Sequence, residues 1–205
     1  DPIGCKDIDD ALHIKYYNDY IEIGIHISSV SEFINDINLN MFSTIYLPNS
    51  QINMLSDEYS YNYCSLIHKK NRKALSLILK FKNFKIDSFH FQKSIVNTDN
   101  YTYSKADEII NSNNSHPIKD LYEFTLKYQN IDKIDSCKLI EIYMILCNSF
   151  VAKTLYNYNN NTILRVQKEK KQDINKNYIL ENYLNKTNRY AASYELNPEN
   201  TSHYE

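Results

Sequence analysis

The sequence predicts an α+β fold: a twisted, mainly antiparallel sheet in the N-terminal half, packed with helices from the C-terminal half. Three observations predict it. Apolar and polar residues alternate from Ala11 to Val30, two further alternating segments flank Lys82-Asn83, and the apolar spacing turns helical after Tyr101.

Successive side chains of a strand point to opposite faces, so Ile21, Ile23, Ile25 and Ile27 fall on one side and Glu22, Gly24, His26 and Ser28 on the other. Ala11 to Tyr17 and Tyr20 to Val30 therefore read as a hairpin, with Asn18-Asp19 as its turn. Ala74 to Phe81 and Ile86 to Lys93, rich in β-forming residues, read as a second hairpin around Lys82-Asn83. Helices follow over Tyr103 to Asn111 and Pro117 to Tyr128, the latter with proline in its first turn. A long helix is expected from about Ser136 to Asn157. Leu139, Tyr143, Leu146 and Phe150 share one face of it, while Ile140, Ile142, Met144 and Ile145 make it apolar nearly all round, which predicts a buried helix. Glu141 and Asn148 lie two turns apart and project from one stripe of it, either as a structural hydrogen-bond pair or as a stripe facing a substrate channel. A strand over Thr162 to Gln167, a weaker helix from about Lys176 to Leu184 and a polar tail through His203 complete the chain. No repeat and no Pro- or Gly-rich linker interrupts it.

With 205 residues, 42% hydrophobic and 23% charged, the chain has the composition of an ordinary globular protein and is long enough for one domain with a real core. Only 2 glycines and no tryptophan stand against 19 tyrosines and a surplus of Asn, Ile, Lys and Ser, the drift of an AT-rich coding sequence. Tyrosine and asparagine counts, and sequons such as Asn100-Tyr101-Thr102, therefore carry little weight. A net charge of −2 excludes the general electrostatic attraction of a basic nucleic-acid-binding domain. Short basic runs at Lys69 to Lys73 and Lys168 to Lys171 are the local exceptions. Cys5, Cys64, Cys137 and Cys147 lack zinc-finger or C-x-x-C spacing and read as reduced thiols. No apolar run approaches the ~20 residues of a membrane span, and no signal-peptide pattern opens the sequence. A cytoplasmic protein is expected, with a nuclear one as the alternative. The start at Asp1 and the stop at Glu205 without a closing element suggest an excerpt of something longer.

The segment Asp1-Pro2-Ile3-Gly4-Cys5-Lys6-Asp7-Ile8-Asp9-Asp10-Ala11-Leu12 places four carboxylates in ten residues, immediately before a strand. Like charges gathered in one turn repel, and a divalent cation would compensate them. All-oxygen donors of this number suit magnesium or manganese. A solvated acidic loop is the plain alternative for any such cluster. A calcium loop fails because Leu12 stands where glycine belongs, and a D-x-D sugar-nucleotide site would leave Asp1, Pro2 and Gly4 without a role.

The whole string resembles the signature of the ribonuclease II (RNB) family, in which a D-P-x-x-x-x-D-I-D-D-A run holds the catalytic metals. The resemblance continues in family order through Ile23 to Val30, Tyr46-Leu47-Pro48, Met54-Leu55-Ser56, Cys64-Ser65-Leu66 and Arg72. It extends to Tyr101-Thr102-Tyr103, to Leu139-Ile140-Glu141 through Met144 and Asn148, and to Ile163 to Val166.

That resemblance implies an RNB-type catalytic domain over residues 1–205, C-terminally incomplete, and a magnesium-dependent 3′→5′ exoribonuclease. Such an enzyme degrades single-stranded RNA processively to nucleoside 5′-monophosphates, with two cations activating water and stabilising the leaving 3′ oxygen. It implies Asp1, Asp7, Asp9 and Asp10 as metal ligands, with Asp9 closest to the chemistry, and Tyr46, Tyr103 and Glu141 as RNA contacts. His13, His26 and His68 are expected to be structural, and Arg72 receives no role. Ser29 stands where the family usually has aspartate, and the stretch from Ile34 to Tyr46 is short and lacks an Arg-Gly pair. The family's arginine-bearing T-S-P-I-R-R-Y segment and its OB-type RNA-binding domains are not among these residues. The rival expectation is a catalytically inactive, RNA-binding relative. Either is compatible with a larger RNA-degradation complex, and neither calls for a membrane.

Overall fold

In β1 (Asp10–Tyr16) and β2 (Ile21–Ser28) the alternation does what it predicts: the two pair antiparallel, with His13 opposite Gly24 and Asp10 opposite Ile27. The link between them closes by a hydrogen bond from Tyr17 N to Tyr20 O (2.9 Å). The computed structural model describes residues 1–33, 43–47, 50–159, 161–167, 193–196 and 203–204. The helix expected over 176–184 lies outside these residues, as does most of the stretch from 34 to 46.

A small ladder follows, β3 (Ile45–Leu47) with β4 (Ser50–Ile52), and then an irregular helical turn over Tyr59–Tyr63. Two long strands, β5 (Asn71–Lys82) and β6 (Lys85–Asn97), form the second hairpin and outrun the expected limits at every end. Its turn puts Asn83 and Phe84 at φ of 49° and 56°, the primed geometry that matches the twist of the flanking strands. The sheet order is β1-β2-β5-β6, and β2 pairs with β5 in antiparallel register.

This register stacks Ile23 on Leu79 and Ile25 on Leu77, all within 1% of full burial. At roughly 2 kcal/mol for each such side chain, the row is the main apolar contribution of the sheet. Phe81 continues the core and meets Phe124 and Tyr128 edge-on, at centroid distances of 5.0 and 5.2 Å.

Three helices follow. α1 (Tyr103–Asn111) is capped by Thr102, whose hydroxyl accepts from Lys105 N at 3.2 Å. α2 (Pro117–Gln129) begins with proline beside a capping His116 and ends on Asn130 at φ 53°, a left-handed cap. α3 (Ser136–Tyr158) runs one residue beyond the expected limit.

The expectation that α3 is buried on all sides is corrected. Ser136, Leu139, Tyr143 and Cys147 form one buried stripe, while Ile145 is 39% and Leu155 46% exposed. Sequence reasoning took apolar character all round for burial all round, whereas a helix at a periphery buries one stripe and leaves the rest outside. By length and composition α3 is also apolar enough to cross a membrane, contrary to the expectation that no segment is.

The chain divides into two compact units, Asp1–Ile140 and Glu141–Glu205, and α3 belongs to both. In the second unit β7 (Ile163–Gln167) pairs antiparallel with β8 (Ser193–Leu196) and with β9 (His203–Tyr204). Leu164 of β7 packs with Ala152 of α3.

Candidate active site

The acidic segment is an irregular strap that ends where β1 begins, so its backbone groups lack a ladder and need other partners. At its start Cys5 N donates to Pro2 O (3.2 Å), a turn that requires Gly4 at φ 85°. Further on, Leu66 N donates to Ile8 O and Ser28 N to Asp9 O, both at 2.8 Å. The buried Ser65 hydroxyl accepts from Ile8 N (3.0 Å) and donates to Lys6 O (2.8 Å), on the two sides of Asp7. The first residue is fastened elsewhere: Asp1 N donates to Tyr101 O and Tyr103 N donates to Asp1 O, each at 3.3 Å.

The strap gathers charge. Desolvation, then the neighbouring Asp7 carboxylate, pushes the Asp9 carboxyl up, although solvent reaches the residue. Asp10 is pushed up by desolvation and then by Asp9. Cys5 Sγ lies 3.5 Å from Asp7 Oδ1 as a donor, and burial followed by Asp7 pushes its thiol up. Tyr103, from the first turn of α1, has its phenol pushed up by burial, then by Cys137, Asp10 and Cys5. Asp10 and Tyr103 therefore share one electrostatic neighbourhood. A cavity of about 840 Å³ is lined by Asp1, Asp10, Tyr101, Tyr103, His13 and His26 among others, and not by Asp7 or Asp9.

The remaining expected site residues are Tyr46 and Glu141. Tyr46 lies on β3, opposite Gln51 of β4, and its side chain is outside the described residues. Its hairpin is tied toward the strap, since Gln51 Nε2 donates to the Tyr61 hydroxyl (3.0 Å) and Lys6 Nζ sits 5.5 Å from the Tyr61 ring centroid. Glu141 belongs to the second unit and is exposed on α3, as is Asn148. Both lie off the buried stripe.

Two histidines are structurally engaged. His13 Nε2 meets Glu22 Oε1 at 3.3 Å, His13 Nδ1 meets His26 Nε2 at 2.8 Å, and His26 Nδ1 meets Ser76 Oγ at 2.7 Å. The rings stack over Gly24, where an added Cβ would lie 2.2 Å from His13 Cε1. Only glycine leaves room for that stack.

Sequence reasoning missed Cys5 and Ser65, and gave Arg72 no role. Cys64-Ser65-Leu66 and Arg72 stood out as family positions, but nothing local says that a serine and the strap it fastens meet across 57 positions.

The donor chemistry fits a hard divalent cation. The carboxylates supply oxygen alone; Asp9 and Asp10 are raised by burial and then by a neighbouring carboxylate, and a cation would offset both. Among the described residues no three His, Cys, Asp or Glu side chains converge closely enough to form a ligand set on their own.

The Caenorhabditis elegans protein named "Probable exosome complex exonuclease RRP44" is 40% identical over 119 residues, 54% of this chain and 12% of that protein. The structure of Mycoplasma genitalium RNase R in complex with ribose methylated single-stranded RNA matches all of this chain and 46% of that one, with a TM-score of 0.74 and 18% identity. Yeast Ssd1, described as a pseudonuclease, matches 82% of this chain and 26% of its own, with a TM-score of 0.66 and 18% identity. At these identities the two structures speak for the fold, and this chain spans less than half the length of each of the three proteins. The RNB domain model matches residues 1–133, which takes in the strap, the four-stranded sheet and both helices before α3, and the chain belongs to the RNB domain family.

Proposed function

We propose that this chain carries the metal-binding part of a 3′→5′ exoribonuclease that hydrolyses single-stranded RNA to nucleoside 5′-monophosphates, processively and by a two-metal route. The supporting observation is the strap itself: on a fastened, partly desolvated backbone Asp7 bears on Asp9 and Asp9 on Asp10, and Asp10 lies within electrostatic reach of Tyr103. Asp1, Asp7, Asp9 and Asp10 would hold magnesium, or manganese in its place. Bound there, the ions would supply an activated water and charge stabilisation at the leaving oxygen.

The chain's own residues do the rest. Asp9, the most exposed of the three coupled carboxylates, is the group aimed at the scissile phosphate. Tyr103, anchored beside Asp1, offers a stacking face to a terminal base, a contact worth ~1 to 3 kcal/mol and tolerant of sequence. Tyr46 and Glu141 extend the RNA contacts as the resemblance implies. The relative named as an exosome exonuclease supports a larger RNA-degradation assembly for the parent protein.

A second reading, RNA binding without hydrolysis, is favoured by one observation, the fold shared with a pseudonuclease. Ser29, the departure from the family pattern, points weakly the same way; it is buried just past β2, with its amide donating to Lys73 O of β5 (3.1 Å).

Asp9→Asn separates the two readings. With a 3′-labelled oligoribonucleotide and magnesium, the substitution lowers the rate by more than about 10³-fold and leaves RNA binding by fluorescence anisotropy unchanged. An unaltered chain that binds RNA and cuts none under the same conditions establishes the second reading.

A further inference from the structure

Asp7 and Asp9 stand on irregular chain that no ladder holds, and one buried hydroxyl fastens the peptides on either side of Asp7. We propose that Ser65, held in turn by Arg72, is the positioning residue of the acidic strap, setting where Asp7 and Asp9 present their carboxylates to a divalent cation. The inference rests on the reading of the strap as a metal site and names residues outside its ligand set.

Ser65 is fully buried, and its hydroxyl uses both of its capacities on the strap, accepting from Ile8 N at 3.0 Å and donating to Lys6 O at 2.8 Å. The two partners bracket Asp7, so one oxygen fixes the peptide planes on both sides of a candidate ligand. The next residue adds Leu66 N to Ile8 O at 2.8 Å, which ties the segment at Ser65 and Leu66 to the strap by three hydrogen bonds. Asp9 is then secured from the other side by Ser28 N, and the Ser28 hydroxyl donates to Cys64 O.

Ser65 itself sits in irregular chain with no ladder to hold it. Arg72, half-buried at the start of β5, supplies the hold. Its Nε donates to Ser65 O (3.1 Å) and Asn62 O (3.0 Å), while Nη2 donates to Asn62 Oδ1 (2.7 Å). A planar guanidinium presents these donors in a fixed fork, which a lysine ammonium does not reproduce. The path runs from the sheet through Arg72 and Ser65 to the peptides flanking Asp7. Outer partners of this kind orient ligands, and their loss lowers metal affinity by roughly 10- to 100-fold.

The test uses the full chain with Mn²⁺ as the probe, followed by the loss of the free-ion electron paramagnetic resonance signal. Thermal melting without metal is recorded alongside. Ser65→Ala is expected to melt close to the unaltered chain yet bind Mn²⁺ at least about tenfold more weakly, with Ser65→Thr restoring part of the affinity. In the same variant the Ile8 amide loses its protection from hydrogen exchange. Arg72→Lys shifts affinity in the same direction by a smaller factor. Should Ser65→Ala not fold, the nearly isosteric Ser65→Cys, a weaker hydrogen-bonding partner, gives the same comparison. Mn²⁺ binding by a folded Ser65→Ala as tight as in the unaltered chain overturns the proposal. If the unaltered chain and Asp9→Asn alike fail to bind Mn²⁺, the metal reading of the strap fails and the proposal falls with it.

Discussion

His26 is buried between His13 and Ser76, and desolvation, then the charge of a protonated His13 and of Lys15, pushes its imidazole down to about 4. An unfolded chain binds that proton near pH 6.5 and the folded chain does not, so between these values the unfolded state holds more protons and stability rises with pH. The contribution is complete above about pH 6.5 and lost as pH falls toward 4, with an upper bound of roughly 3 kcal/mol. Asp9 and Asp10, raised by burial and by neighbouring carboxylates, work in the opposite direction at the acid end, because the folded chain there binds protons more readily. The difference in urea-unfolding free energy between the unaltered chain and His26→Gln isolates the histidine. It is expected to be largest near neutral pH and to shrink toward pH 4. A difference that stays constant with pH shows that His26 is protonated equally in both states. At this scale the sequence was legible for residue types and silent on partners. The acidic run and its metal-suited donors stood out, while the stack of two histidines over Gly24 did not.

At the scale of elements, local periodicity carried most of the information. Both main hairpins and all three helices form where the alternation and the caps place them, with Thr102 and Pro117 marking starts that side-chain chemistry defines. The helical turn over Tyr59–Tyr63 shows no apolar period and went unread. β5 and β6 extend past their apolar stretches because pairing with a neighbour continues after the hydrophobic pattern ends. For α3 the type was legible and the environment was not. Its stability contribution resides in one stripe, so Tyr143→Ala, at a fully buried position, is expected to cost ~3 to 5 kcal/mol. Ile145→Ala, at a position 39% exposed, costs less than about 1 kcal/mol. Urea titrations of the two variants check the contrast, and equal losses mean that the exposed side of α3 is covered in solution.

For the whole molecule, a net charge of −2 bears on the proposed RNA binding. Under the proposed function, RNA would be held by stacking and by cations at the strap more than by general phosphate neutralisation. RNA binding by this chain is therefore expected to weaken only gently with salt, with a log–log slope no steeper than about −2, as for two or three phosphate contacts on a single strand. Anisotropy titrations between low and moderate salt measure it, and a much steeper slope points to a concentrated basic track that net charge conceals.

The sequence by itself determined the two main hairpins, the three helices and β7, because strand and helix periodicities are local and survive without knowledge of neighbours; the short strands β3, β4, β8 and β9 and the turn over Tyr59–Tyr63 carried no such period. It also determined the family, because the D-P-x-x-x-x-D-I-D-D-A run is contiguous. Tertiary structure alone decided that Tyr103 stands within electrostatic reach of Asp10, that Ser65 fastens the strap and that α3 buries a single stripe. Each of these depends on segments distant in sequence closing on one another, and backbone groups in an irregular strap acquire partners only once the chain has folded around them.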